Sequence, residues 1–258
     1  MDLHFLSHLF PLQIFPASGL ASSVITTVWV GIFVVALFNL RFGWVMSGLI
    51  VPGYLVPLLL IKPSAALVVL VESVLTYFIV WWYSEVLSMR MGWSRFFGRD
   101  RFFAMVLVSV GIRIISDGYA LPWLGDTLSQ RWQIHFDYQN NLHSFGLIIS
   151  ALVANNFWKT GLRRGLLTNF VTIAITYCLV RFVLMQTTNF SLANIGFLYE
   201  DIASSFLASP KTYMILIITA FLASRMSLYY GWDFSGILIP ALLALQWYQP
   251  QKIILSFV

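Results

Sequence analysis

Charge is scarce in this chain. Only 10% of its 258 residues are Asp, Glu, Lys or Arg, where a soluble domain carries about 25%. That excludes an ordinary water-soluble fold. Cysteine is nearly absent: Cys178 is the single copy, so no disulfide can form within the chain, and it reads as a small apolar filler. Residues 1–19 hold no Lys or Arg, so the basic start of a cleavable signal peptide is missing. Catalytic and ligating signatures are missing too. There is no GxxxxGK(S/T) phosphate loop; Lys159-Thr160 has its ending without its glycines. Neither HExxH nor a paired Cys/His spacing occurs. His4 and His8 are four apart, but two ligands do not make a metal site, and they read as an interfacial pair. His135 and His143 read as solvated loop residues. No cofactor, metal ion or catalytic residue is expected.

What the chain has is apolar length. Hydrophobic residues make up 59% and aromatics 17%, with a mean hydropathy of +0.83. A membrane-spanning helix needs about 20 mostly apolar residues. The expectation is an all-α, polytopic transmembrane protein with about eight apolar segments. They fall near 20–40, 44–61, 64–87, 102–116, 145–158, 166–185, 212–228 and 234–248, after an interfacial lead-in at 1–19. The net charge of +5 does not point to nucleic acid, because the basic residues sit in short clusters between apolar runs. The partner it does imply is the lipid bilayer of the cell membrane.

Those clusters set an expected orientation. Loop 88–101 carries Arg90, Arg95, Arg99 and Arg101 and is assigned to the cytoplasm. Loop 117–144 carries Arg131 against Asp117, Asp126 and Asp137 and is assigned outside; 159–165 returns inside and 186–211 outside. The N-terminus is then outside. Segment 145–158 is short, so it either crosses or is re-entrant.

The chain also repeats itself. Gly43, Trp44, Ser47, Gly48, Pro52 and Leu55 recur in order as Gly231, Trp232, Ser235, Gly236, Pro240 and Leu243. A fainter copy puts Gly146-Leu147-Ile148 where Gly48-Leu49-Ile50 stand, with Ser150-Ala151 in place of Pro52-Gly53. The expected unit is span, Gly/Pro segment, span. Units near 20–87 and 102–185 would form an inverted pair, 188–211 an outside linker, and 212–258 the start of a third unit that reads as truncated. Pro52 lacks an N–H, and Gly53 permits unusual backbone angles, so a helix break is expected there; the ordinary reading is a kinked helix.

At SGLIVPGYL (47–55), LTYFIV (75–80), GRDRFFAMVL (98–107), GIRIISD (111–117) and GLIISALVAN (146–155) the sequence resembles the CapC/PgsC family, the membrane subunits of bacterial poly-γ-glutamate synthesis. The resemblance covers about 21–187, with the further CapC-like unit beginning near 212. It implies a non-catalytic subunit that supports an ATP-dependent amide ligase and can give the polyglutamate chain a path across the membrane. The alternatives are a secondary transporter built on inverted repeats and a membrane scaffold without transport.

Ionisable residues within apolar runs are the remaining candidates, since each costs about 2.5–3.5 kcal/mol at the bilayer centre. Glu72 lies mid-segment, as a polar contact on a path or a neutral, hydrogen-bonded acid. Arg113 and Asp117 are four apart and can pair on one helix face. Arg113 and Arg181 alternatively snorkel to the interface. Arg99 and Arg101, among Trp93, Phe96 and Phe97, either anchor the loop or hold the ligase or the carboxylates of the product. Asn155-Asn156 follow the second motif and read as a helix-end cap or a site element.

Overall fold

The computed structural model describes residues 11–15, 20–44, 48–92, 98–132, 145–192 and 210–230. Among them every named element is helical. Helix α1 is Val24–Phe42, α2 is Val51–Ile61 and α3 is Pro63–Met91. The rod α4 joins Gly98–Ile115, a π turn at Ser116–Ala120 and Leu121–Trp132. Helix α5 is Phe145–Thr160, α6 is Leu162–Thr187 and α7 is Pro210–Tyr230. Among the described residues four helices, α1, α3, α4 and α6, are long and apolar enough to cross a bilayer, and α2 is shorter than a crossing needs. Segment 234–248 lies outside the described residues.

Local sequence explains the boundaries. Ser23 caps α1 by accepting from the Ile25 N–H at 3.2 Å, and Gly43 ends it in the left-handed region at φ 64°. Helix α2 is joined to α3 through Lys62 alone, and α5 to α6 through Gly161 alone. Pro63 opens α3, where its missing N–H costs nothing. The loops are shorter than expected: α3 runs helical to Met91, α4 starts at Gly98, and 117–132 is helix rather than loop.

Residues 44–61 do not form one spanning helix. Among their described residues only Val51–Ile61 is helical, about 16 Å of rise, too short for about 30 Å of hydrocarbon. Trp44 turns back along α1, its ring 5.0 Å from that of Phe38. Gly53 then faces Gly31, near the middle of α1: a Cβ on Gly31 would stand 2.5 Å from the Gly53 nitrogen, and one on Gly53 would overlap Val28. Helix α2 therefore begins half-way along α1. The expectation for Gly53 is corrected: its value is close backbone approach, not an unusual angle. Pro52 is corrected as well. It occupies the first turn of α2 and starts a helix instead of breaking one.

The interior proline is Pro57. It has no N–H to offer the carbonyl four residues back, which is that of Gly53. Thr27 Oγ1 donates to that carbonyl at 3.0 Å while also lying 2.7 Å from the Val24 carbonyl. One hydroxyl hydrogen serves both.

Two clusters form the core. One gathers α2, α3, α5 and α6 around Leu55, Val69, Val153 and Phe157; the other gathers α3, α4, α5 and α7 around Val80, Met105, Ala154 and Leu216. Residues 11–15 close the module. Leu12 N–H donates to the Thr187 carbonyl at 2.9 Å, and Asn189 bonds both backbone groups of Phe15, at 3.0 and 2.7 Å.

Thr27→Val should lower stability in detergent by about 1–3 kcal/mol, the cost of a buried carbonyl left unpaired. Pro57→Ala in the same chain should recover part of that loss, because the new N–H reaches Gly53. Thermal unfolding of the two single variants and the double variant measures the coupling.

Candidate intramembrane charge cluster

Glu72 lies on α3, about half-way between Pro63 and the Trp81-Trp82 pair. It is 3% exposed. An unpaired carboxylate there would be costly, so a partner is required. The partner is Arg113 of α4, 2% exposed, whose Nη1 lies 3.1 and 3.3 Å from the two carboxylate oxygens. Arg113 Nε also donates to Asp117 Oδ2 at 2.9 Å. Asp117 sits in the π turn at Ser116–Ala120, its side chain 34% exposed. One guanidinium thus bridges two carboxylates, one buried and one partly exposed at the π turn of α4. The cluster carries a formal charge of minus one.

The expected Arg113–Asp117 pair is present, and Arg113 does not snorkel. Its link to Glu72 was not visible in the sequence, because the two residues are 41 apart and on separate helices. The hydroxyls nearby are tied to backbone carbonyls. Ser73 donates to Val69 at 2.6 Å, Thr76 to Glu72 at 2.7 Å and Ser109 to Val106 at 2.8 Å.

At the other end of α4, the Arg101 guanidinium lies 5.2 Å over the Trp158 ring of α5. Its Nε is buried without a hydrogen-bond partner among the described residues. Arg99 lies in the first turn of α4, and its side chain is outside the described set.

Asn155 is not a helix-end cap. It lies inside α5 and is 5% exposed. Its neighbour Asn156 donates from Nδ2 to Asn169 Oδ1 on α6 at 3.4 Å, a contact the sequence reading did not contain. Gly48 stands in the turn before α2, its carbonyl accepting from the Val51 N–H at 3.1 Å; a Cβ there would meet the Val51 side chain. Ser47, Ser235, Gly236 and Pro240 lie outside the described residues, as do His4, His8, His135 and His143. Cys178 is exposed, and so is not a core filler; Arg181 is exposed in a π turn of α6.

Removing one partner of the buried pair should be far worse than removing both. Arg113→Met leaves Glu72 buried and alone, and should cost about 3–5 kcal/mol. Glu72→Leu combined with Arg113→Met should recover most of it. Asp117→Asn, at a half-exposed site, should cost at most about 1 kcal/mol. Thermal unfolding in one detergent, with the four proteins side by side, gives the comparison.

The family model for capsule biosynthesis CapC matches residues 30–166. The chain is 29% identical over 172 residues to the capsule biosynthesis protein CapC of Bacillus anthracis, covering 66% of this chain and 92% of that one. It is 30% identical over 135 residues to the PGA biosynthesis protein CapC of Bacillus subtilis (strain 168), covering 51% and 76%. No solved structure matches it. The matched region holds Glu72, Arg113 and Asp117, the two short helices and their one-residue junctions, and this chain is a membrane protein of the capsule biosynthesis CapC family.

Proposed function

We propose that the chain is an integral subunit of a poly-γ-glutamate synthesis and export assembly. It holds an ATP-dependent amide ligase at the cytoplasmic face and gives the polymer a way across. The observation that carries this beyond family membership is the interrupted crossing at 43–61. Its described residues before Val51 are not helix, and α2 starts half-way along α1. In hydrocarbon such backbone persists only when protein or a watery cavity covers it. Interrupted helices of this kind line substrate paths in transporters. At the cytoplasmic end, the Arg101 guanidinium lies 5.2 Å over the Trp158 ring with Nε unpaired among the described residues, and a guanidinium fork suits a carboxylate.

The two halves of the path are an inverted pair, units 20–87 and 102–185. The packing supports this. Helix α1 packs on α2 as α4 packs on α5, and α2 meets α3 as α5 meets α6. Across the halves, α3 touches α4 and α5, and α6 touches α1 and α2. Helix α7, packed on α4, opens the third unit. Loop 88–101 and Arg41 face the cytoplasm, and 117–132 faces outside.

Four measurements test the proposal. Glutamate-dependent ATP hydrolysis should co-purify with the detergent-extracted protein. Uptake of small solutes by liposomes holding this chain alone would favour a secondary transporter instead. On a Cys178→Ser background, an impermeant thiol reagent should label Asp126→Cys in intact cells and leave Arg90→Cys unlabelled. Arg101→Gln should reduce cell-associated and secreted polyglutamate several-fold at matched protein level.

A further inference from the structure

The long helices α3 and α6 stand apart along a shared groove of about 610 Å³, with the short helices α2 and α5 as its floor. The two walls match residue for residue. Leu67, Leu70 and Val74 line α3, and Leu166, Asn169 and Ile173 line α6 with the same spacing. On the floor, Leu59 of α2 answers Phe157 of α5. Among the lining residues only Asn169 and Tyr177 carry a polar group, and Asn169 takes the place in the α6 stripe that Leu70 takes in the α3 stripe.

Asn169 is 4% exposed. Its Oδ1 accepts from Asn156, and its Nδ2 is buried without a partner among the described residues. An amide N–H left so in hydrocarbon needs an acceptor. The walls α3 and α6 are helices long and apolar enough to cross the bilayer, so the medium beside the groove is lipid, not water. A dry apolar void of this size forfeits its contacts unless a chain fills it. Leu166 to Tyr177 gives about 16 Å of helix rise, long enough for much of an acyl chain.

Exposed arginines stand one turn beyond each end of the α6 wall, Arg163 before Leu166 and Arg181 after Tyr177, and Arg163 is the nearer to Asn169. Arg163 is exposed and precedes Leu166 by one turn, on the stripe that continues through Phe170. It is about 9 Å of rise from Asn169. Basic residues between spanning helices are a recurrent setting for lipid head groups. We propose that this groove binds one membrane glycerophospholipid. Its phosphate meets Arg163, an ester carbonyl accepts from Asn169 Nδ2 after a small shift of the amide, and an acyl chain lies between α3 and α6.

The test uses the full-length protein in phosphatidylglycerol–phosphatidylethanolamine vesicles. A trace of phosphatidylglycerol carries a photoactivatable diazirine in one acyl chain, and adducts are mapped by peptide mass spectrometry. Adducts are expected on 67–75 and 166–177, exceeding those on the exposed α1 face near Leu40 by several-fold. Arg163→Gln and Asn169→Leu should each cut groove adducts at least threefold, with the α1 adducts unchanged. Ala174→Trp fills the groove without touching Asn169 and should do the same. The proposal is overturned if groove and α1 adducts are equal in the wild type, or if folded variants lose none. It is also overturned if photoactivatable residues in the groove capture a second protein in native membranes instead of lipid. None of these readouts depends on polymer synthesis, so they stand whether or not the proposed function does.

Discussion

The Gly53 carbonyl is where the fold's hardest constraint is met. Without water, every backbone group within the bilayer needs a partner from the protein. Pro57 removes the one that a regular helix would supply, and Thr27 of the neighbouring helix replaces it at 3.0 Å. That substitution works only at close range. Gly31 and Gly53 let the two backbones approach until a methyl group on either would collide. A short helix can thus begin half-way down a long one without leaving its polar groups bare, and Val51–Ile61 is held where the crossing would otherwise fail.

The ion pair plays the corresponding part between α3 and α4. Between helices α3, α4 and α5 the hydroxyls of Ser73 and Ser109 return to their own backbones, and Ser150 of α5 reaches the Val69 carbonyl of α3 at 3.5 Å. Glu72 and Arg113 contribute direction. A carboxylate and a guanidinium at one depth fix the register of α3 against α4, since any slip would strand both charges. The π turn at Ser116–Ala120 lets Asp117 share the guanidinium while staying partly exposed.

Sequence reading reached different depths at different residues. The membrane class, the helical fold and the Arg113–Asp117 pair were legible, because each follows from composition or from spacing along one helix. The family was legible from SGLIVPGYL and GRDRFFAMVL. What escaped lay between helices. Glu72 meets Arg113, Thr27 meets Gly53 and Asn156 meets Asn169 by packing, and no local period announces such contacts. Pro52 misled because a proline is a breaker inside a helix and a starter in its first turn, and the sequence alone does not say where the turn begins. Asn155 misled in the opposite way, being an internal residue that looked terminal.

The clasp between Phe15 and Asn189 joins residues 174 apart, and Ser191 reinforces it by donating to the Ala21 carbonyl at 2.9 Å. Its two halves leave the ribosome far apart in time. Residues 11–15 have no partner until α6 has been made and threaded, so this strip must wait at the membrane surface while five helices assemble. Contacts of such long separation are slow to form and come late. The clasp therefore closes only once the chain has been made through Asn189, which ties the first described residues to the end of α6 as the last contact of the module.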